Sequence, residues 1–201
     1  MGSEKKLPFI LASASPRRQE LLQLAGVSFE VIPSQTEEKM LANESAEEHV
    51  IRLARAKATD VAGQYRERWV LAADTVVVID DRVLGKPKNQ QEAEEMLRML
   101  SQREHQVTTG YCILKSSNLE KREGKVTTRV KFKALSSEEI HWYLDTDEPF
   151  DKAGGYAIQG KAAFMVKEIH GSYTNIVGLP LCEVIEALQE LGVVDRNVPD
   201  Y

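Results

Sequence analysis

Residues 69–79 read WVLAADTVVVI, and this stretch decides the fold. Its apolar, valine-rich composition predicts a long strand that is buried on both faces. Asp74 and Thr75 interrupt the run, and Asp is depleted in strands. Because an unpaired buried carboxylate is costly, we expect Asp74 to meet a cation, a metal ion or a proton to transfer. The alternative is a structural Asp that pairs with Lys or Arg near a strand end.

Strand and helix patterns mix along the rest of the chain. Short apolar or alternating segments predict further strands at residues 9–12, 27–33, 107–114, 126–132 and 162–169. Helix starts are predicted by the N-cap pair Ser15-Pro16, by capping boxes at Ser45 and Ser136, by Asn89 and by Pro180. This mixture indicates an α/β or α+β class built on a mixed sheet.

Composition limits the classes of partner. The chain has 201 residues, enough for one large domain or two small lobes, and its net charge of −5 argues against binding a nucleic acid polymer. Cys112 and Cys182 lack metal-site spacing and are interpreted as reduced thiols. The four histidines also lack such spacing and are interpreted as structural or solvated. The N-terminus lacks a signal-peptide apolar segment and no run is long enough for a membrane span, so we expect a cytoplasmic protein without membrane contact.

A second break in local pattern lies at residues 11–18, LASASPRR. A strand leads into a turn of small residues and then a helix start, whose free N–H groups can bind an anion. Arg17 and Arg18 lie in the first helical turn, where the helix dipole disfavours cations. An anionic ligand would reverse that penalty. The alternative is a capped helix with two solvated arginines.

Two lysines and one glycine-rich segment are further candidates for a binding site. Lys57 lies on the apolar stripe of its helix, so it must either extend to solvent or meet an anion. Lys86 lies in the constrained segment Gly85-Lys86-Pro87. Residues 147–160, DEPFDKAGGYAIQG, predict a binding loop, although a plain surface loop is the alternative.

Together these breaks provide the groups that phosphoanhydride cleavage requires. Cations hold phosphates, while carboxylates hold a divalent ion and activate water. The cations are Arg17, Arg18, Lys57 and Lys86, and the carboxylates are Glu37, Glu38 and Asp74.

The motifs resemble those of the Maf family, in the family's order and over nearly the whole chain. They are LASASPRR at 11–18, ADTVV at 73–77, GKP at 85–87, DKAGGY at 151–156 and VGLP at 177–180. The resemblance implies a Maf/ITPase-like α/β fold, with a curved mixed sheet flanked by helices and two lobes around a central cleft. It also implies one domain over residues 1–201, a homodimer, and hydrolysis of nucleoside triphosphates between the α and β phosphates with Mg²⁺ or Mn²⁺.

The resemblance also assigns roles to individual residues. Asp74 would be the general base, acting with the catalytic lysines Lys57 and Lys86. Ser13 and Arg18 would hold the phosphates together with those lysines, and Glu38 and Asp74 would bind the metal. At Glu37-Glu38 many members have Asp-Glu, which leaves the part of Glu37 open.

Three positions distinguish branches of the family by base preference. Arg17, Thr75 and Gln159 match the branch that acts on dTTP and UTP, and modified pyrimidine nucleotides would share the same edge contacts. A Gln amide can both donate and accept, which suits the edge of uracil or thymine. The 7-methyl-GTP branch carries Trp, Gln and Glu at these positions. That branch and a non-catalytic, nucleotide-binding regulator of cell division are the two alternatives.

Overall fold

The computed structural model describes residues 7–146 and 148–195. Asp147, the first residue of the predicted binding loop, lies outside the described residues, as does the N-terminal segment 1–6. The strands are β1 (Phe9–Leu11), β2 (Phe29–Val31), β3 (Trp69–Ile79), β4 (Arg82–Leu84), β5 (Glu104–Lys115), β6 (Glu120–Phe132) and β7 (Val166–His170). The helices are α1 (Pro16–Leu24), α2 (Ala46–Gln64), α3 (Gln90–Leu100), α4 (Ser137–Leu144), α5 (Tyr173–Val177) and α6 (Leu181–Glu190).

Over the described residues, one mixed sheet of seven strands forms the centre of the fold. Its order is β2-β1-β3-β5-β6-β7, with β4 paired to β3 outside this path. β1 is parallel to β2 and β3, and the remaining pairs are antiparallel. Helices pack against this sheet, which confirms the predicted α/β class.

One edge of β3 changes its neighbour partway along the strand. β5 pairs with β3 from Trp69 to Val78, so it occupies the other edge throughout. On the edge away from β5, β1 pairs only with Val70 and Leu71, and β4 pairs only from Val77 onward. Residues 73–76 therefore lie at a gap between two neighbouring strands. Crevices beside such a change of strand neighbour are common binding sites in α/β proteins.

Three hydrophobic clusters use different parts of β3. The helices α1 and α6 pack with its first half, around Leu71 and Ala73. The second half, including Val77 and Ile79, packs with α3 and α4. α2 covers the opposite face near Val70 and Ala72. The two halves of β3 thus pack into different clusters on either side of the gap in its edge.

The helix starts follow the predicted capping chemistry. Ser45 and Ser136 each form a complete capping box with the Glu three residues later, and the Asn89 side chain accepts from the backbone N–H of Glu92. Ser15 precedes Pro16 at the start of α1 as expected, but its side chain makes no capping hydrogen bond. Local sequence therefore determines where most helices begin.

Several predicted strands were wrong in extent, and strand β4 and helix α5 were not predicted. The strand expected at 126–132 already begins at Glu120. The strand expected at 27–33 is only Phe29–Val31. The strand expected at 162–169 begins as a 3₁₀ turn, Lys161–Met165, and becomes extended only at Val166. The short helix α5 has no apolar stripe of useful length, so periodicity could not reveal it. Among the helices of the described residues, none has the length and hydropathy that a membrane crossing requires.

Gly110 on β5 allows α2 to approach the sheet closely. A Cβ at this position would lie 2.6 Å from the backbone carbon and oxygen of Val50. We expect Gly110→Ala to lower the free energy of unfolding by about 1–3 kcal/mol, because helix and sheet must separate. Urea denaturation measures the change. Gly63→Ala is the matched control, because Gly63 lies in α2 with nothing within 4 Å of its Cβ position, and it should be neutral or slightly stabilising. Equal losses in both variants would contradict the close-approach explanation.

Candidate active site

The gap in the edge of β3 opens into a cleft of about 750 Å³. A cavity of this size accommodates a nucleotide-sized ligand. Its walls include the α1 start, the face of α2 that carries Lys57, the loop at Lys86 and the segment around Gln159. The cleft therefore brings together the segments that the sequence singled out, although they are far apart along the chain.

Lys57 and Asp74 form a buried ion pair at the floor of the cleft. Each residue is only 6% exposed. Lys57 Nζ donates to Asp74 Oδ1 at 2.7 Å and to Glu38 Oε1 at 2.5 Å. Lys57 therefore meets an anion instead of extending to solvent, and Asp74 has the cation that its burial requires.

Glu38 connects this pair to the second lysine. Lys86 Nζ donates to Glu38 Oε2 at 3.2 Å, on the more exposed side of the site. Partial burial raises the pKa of Glu38, but the hydrogen bonds and charges of Lys57 and Lys86 outweigh burial and bring this pKa down to about 2. Glu38 is consequently ionised at neutral pH.

The start of α1 forms another wall of the cleft. Ser13 is nearly buried, and its Oγ accepts from the backbone N–H of Ser15 at 3.3 Å and from Arg18 Nη1 at 3.1 Å. Pro16 begins α1, so the small residues before it leave the helix N-terminus open toward the cleft. An N-terminus in this position favours an anion.

Arg18 connects three separate segments. Besides its bond to Ser13, Nε donates to the Gly178 carbonyl at 2.7 Å and Nη2 donates to Thr75 Oγ1 at 3.1 Å. Burial lowers the pKa of Arg18, while the charges of Asp74 and Glu38 act to raise it. Gly178 has a φ of 122°, a left-handed conformation that favours glycine, so a side chain here would strain the turn. Arg18 thus lies in the cleft wall, where its guanidinium holds three segments of the chain together.

The hydroxyl of Thr75 is part of an ordered chain of hydrogen bonds. It accepts from Arg18 and lies 2.9 Å from Thr109 Oγ1, and Thr109 donates to the Asn175 carbonyl at 3.1 Å. Thr75 has one proton, for which both Thr109 Oγ1 and the Gly178 carbonyl, at 3.4 Å, are within reach. Thr75 therefore lines the cleft with its hydroxyl hydrogen-bonded to protein groups, both as acceptor and as donor.

Arg17 lies nearer the cleft mouth than Arg18. Its Nη1 lies 3.7 Å from Asp151 Oδ2, in a pair whose carboxylate side chain is 65% exposed. Asp151 also pairs with Lys152, whose Nζ donates to the Glu148 carbonyl at 2.7 Å. This exposed network links the first turn of α1 to the loop opposite.

The glycine loop lies against the segment that carries Lys86. The Gly154 N–H donates to the Gly85 carbonyl at 2.9 Å, and Gly154 has a φ of 70°. A Cβ there would lie 3.0 Å from Val77, so the left-handed conformation and the narrow space both favour glycine. The two loops that the sequence identified separately are thus one structural unit.

Gln159 lies on the exposed side of the cleft, next to a fixed turn. Both carboxylate oxygens of Glu148 accept from the backbone N–H of Lys161, at 2.9 and 3.1 Å. A Cβ on Gly160 would lie 2.6 Å from that carboxylate, so Glu148 and Gly160 fit closely. The backbone beside Gln159 is therefore held, and Gln159 itself lines the cleft.

Possible metal ligands are few in the part of the chain that the structure describes. Within it, His, Cys, Asp and Glu side chains nowhere gather in a group of three or more that could hold an ion. Glu38 and Asp74 nevertheless contact the same ammonium group, while Glu37 is exposed. The site thus offers two carboxylates to a cation.

Sequence reasoning missed Lys152 at the cleft. Lys152 lies in the predicted loop and was not singled out, although a lysine within a glycine-rich segment was a usable signal. His49 also lines the cleft. It is buried and pairs with Glu44, which agrees with its interpretation as a structural histidine.

Comparison with known proteins identifies the family of the chain. The family described as Maf-like protein matches residues 8–191. The dTTP/UTP pyrophosphatase of Syntrophus aciditrophicus is 53% identical over 91% of this chain and 89% of its own length. The dTTP/UTP pyrophosphatase of Geotalea uraniireducens is 50% identical, over 96% of this chain and 99% of its own length. That of Halalkalibacterium halodurans is 47% identical, over 94% of this chain and 98% of its own length. The solved Staphylococcus aureus Ham1 protein is 17% identical, covers 63% of this chain and 72% of its own, and has a TM-score of 0.43, from which no conclusion follows.

Arg18 and Arg17 provide a matched pair of substitutions. We expect Arg18→Lys to lower the free energy of unfolding by about 1–3 kcal/mol, since one ammonium cannot replace three bonds to separate segments and leaves buried acceptors unpaired. Arg17→Lys should change it by less than about 0.5 kcal/mol, because Arg17 makes one long, exposed contact. Chemical denaturation of both variants measures the difference. Similar decreases in the free energy of unfolding for the two variants would argue that the Arg18 hydrogen bonds do not hold the three segments together.

Proposed function

The chain belongs to the Maf family, and from this membership we propose that it hydrolyses dTTP and UTP to the nucleoside monophosphate and pyrophosphate. The observation that carries the proposal is the buried pair of Lys57 and Asp74, joined through Glu38 to Lys86 in one nucleotide-sized cleft. The names of the relatives at about half identity support the choice of substrate.

The triphosphate is proposed to lie between α1 and the two lysines. Lys57 and Lys86 supply compact positive charges, and the N-terminus of α1 with the Ser13 hydroxyl supplies hydrogen-bond donors. Arg18 adds positive charge from within the wall and keeps Ser13 and Thr75 in place through its bonds to them. Positioned charge of this kind is the main source of catalysis in phosphoryl chemistry.

Asp74 is proposed as the general base. Lys57 contacts its Oδ1, and the other oxygen, Oδ2, is free of that contact and is the atom that would accept a proton from water. The water oxygen forms a bond to the α phosphorus as the bond from that phosphorus to the bridging oxygen breaks. Pyrophosphate then leaves toward the lysines, and Asp74 later releases its proton to solvent.

Glu38 and Asp74 fit a divalent ion such as Mg²⁺ or Mn²⁺. Mg²⁺ is usually bound by one or two carboxylates together with substrate phosphates and water, and two carboxylates are what this cleft offers. A bound ion supplies positive charge that offsets the charge developing on the phosphate oxygens. Asp74 would thus serve both the ion and the water, and the part of Glu37 stays open because its side chain is exposed.

Base selection is proposed to depend on Gln159, with Arg17 and Thr75 beside it. The turn fixed by Glu148 and Gly160 supports this role, because it restricts the backbone next to the Gln159 amide. An amide can match the acceptor and donor groups of uracil and thymine. Arg17 at the mouth disfavours a cationic base such as 7-methylguanine. The Thr75 hydroxyl already has hydrogen-bond partners within the protein. We therefore propose that Thr75 positions its neighbours in the cleft wall.

We also propose that residues 1–201 act as one domain in a cytoplasmic homodimer. The single domain and the homodimer rest on the resemblance to the family alone. Light scattering coupled to size-exclusion chromatography measures the mass of the assembly directly.

The substrate proposal is tested with a panel of nucleotides. Purified protein should release pyrophosphate from UTP and dTTP in the presence of Mg²⁺ or Mn²⁺, with kcat/KM at least about tenfold above that for CTP, GTP and 7-methyl-GTP. The reason is that uracil and thymine present an N–H between two carbonyl acceptors, and a Gln amide can match part of that edge. A preference for 7-methyl-GTP would favour the other branch, and tight nucleotide binding without turnover would favour a regulator.

The role of Asp74 is tested by Asp74→Asn. We expect kcat to fall by about 10²–10⁴-fold, because the amide cannot accept the proton of water. Steady-state kinetics with UTP at saturating metal measures the change. Asp145→Asn, at the exposed end of α4, is the control and should retain normal turnover. Near-normal kcat in Asp74→Asn would reject Asp74 as the base.

A further inference from the structure

Glu38 lies on a long loop, residues 32–45, that connects β2 to α2 without helix or strand. Ordered loops of this length in compact proteins are uncommon and usually functional. Residues 39–43 are exposed, so the loop gains little from apolar packing there. Something other than burial must keep Glu38 beside Lys57 and Lys86.

Arg52 on α2 contacts this loop at two places. Its Nε donates to Glu44 Oε1 at 2.5 Å, and its Nη2 donates to Glu44 Oε2 at 2.8 Å. The same Nη2 donates to the backbone carbonyl of Lys39 at 2.8 Å. Lys39 is the residue directly after Glu38, so a planar guanidinium fixes the backbone next to the cleft carboxylate.

Glu44 is the centre of the contact. Its side chain is only 7% exposed, although it belongs to a surface loop. Besides Arg52, it accepts from the Leu41 backbone N–H at 3.1 Å and from His49 Nδ1 at 2.9 Å. The hydrogen bond from Arg52 is the largest of the effects that lower the pKa of Glu44 to about 2, so its carboxylate is charged at neutral pH and the His49 ring nitrogen must be the donor.

We propose that Arg52 and Glu44 are positioning residues that fasten loop 32–45 to α2 and thereby hold Glu38 against Lys57 and Lys86. Neither residue contacts the reacting groups directly. Their consequence for turnover rests on the proposed function, in which Glu38 binds the metal ion. Residues that orient a ligand-bearing group typically change activity or metal affinity by about 10–100-fold when they are removed.

Arg55 provides a matched control on the same helix. It lies one turn further along α2 and also pairs with a carboxylate through two bonds, to Glu123 at 2.6 and 2.8 Å. Glu123 belongs to β6 and not to the loop. Arg52→Ala and Arg55→Ala therefore remove the same kind of group, and only the first removes a contact to residues 39–44 of the loop, while Asp60 still binds Ser34 and Gln35.

The first measurement is steady-state kinetics with UTP. Arg52→Ala is expected to lower kcat by about 10–100-fold, with a smaller change in KM, while Arg55→Ala stays within about threefold of the unmodified protein. Glu44→Gln keeps the size of the side chain and should lower kcat in the same direction. Thermal unfolding verifies that the variants are folded. Equal effects of Arg52→Ala and Arg55→Ala would overturn the proposal.

The second measurement asks whether Arg52 acts through Glu38. In a Glu38→Ala background, adding Arg52→Ala should reduce kcat by less than about twofold further, because the group that Arg52 positions is already gone. A full additional loss would show that Arg52 acts on turnover by another route, and the proposal would then be wrong.

The third measurement is independent of activity. Hydrogen exchange at the amides of Leu41 and Glu44 should be faster in Arg52→Ala than in Arg55→Ala, since the turn between them depends on the Glu44 carboxylate. Titration with Mn²⁺ alone should show weaker binding in Arg52→Ala. If the unmodified protein fails to hydrolyse UTP, the proposed function is wrong, and exchange still tests the fastening. Unchanged exchange in Arg52→Ala would overturn it.

Discussion

The gap in the edge of β3, between the end of its pairing with β1 and the start of its pairing with β4, is the constraint on which the cleft depends. Asp74 lies at this gap, so it is buried and still lines the cleft. A carboxylate in that position needs a cation nearby. Lys57 on α2 supplies it, because α2 packs across the same strand.

The four charged groups at the floor depend on one another. Lys57 contacts two carboxylates, and Glu38 contacts two lysines, so removal of any member leaves a partner incompletely paired. Because the pair of Lys57 and Asp74 loses most of its hydration, it persists only when its geometry is well determined by surrounding contacts. The rigid strand fixes Asp74 and the helix fixes Lys57. Glu38 and Lys86 both come from loops. The loop of Lys86 is held by the bond from the Gly154 N–H to the Gly85 carbonyl, and the loop of Glu38 by the contacts of Arg52 and Glu44.

Local sequence patterns determined much of this fold. The valine-rich strand, the capping boxes at Ser45 and Ser136 and the cap at Asn89 are local in origin, and each was predictable. Asp74 and Lys57 were identifiable because each breaks an apolar pattern, and the structure brings them into contact. The 3₁₀ turn at 161–165 was not predictable, since it depends on a cap from Glu148 elsewhere in the loop. The gap in β3 also depends on strand pairing between distant segments, which one sequence does not reveal.

Arg17 and Arg18 also lie in different surroundings that one sequence does not reveal. The arginines and the lysines at the cleft differ in what they contact. Adjacent residues on a helix point in directions about 100° apart, so one arginine enters the wall while its neighbour lies at the mouth. Arg18 and Arg52 each bind a backbone carbonyl and at least one side chain, which suits the rigid fork of a guanidinium. Lys57 and Lys86 instead present compact charges to carboxylates inside the cleft. Arg18 and Arg52 thus hold separate segments of the chain in place. Lys57 and Lys86 face the site where phosphate oxygens are proposed to bind.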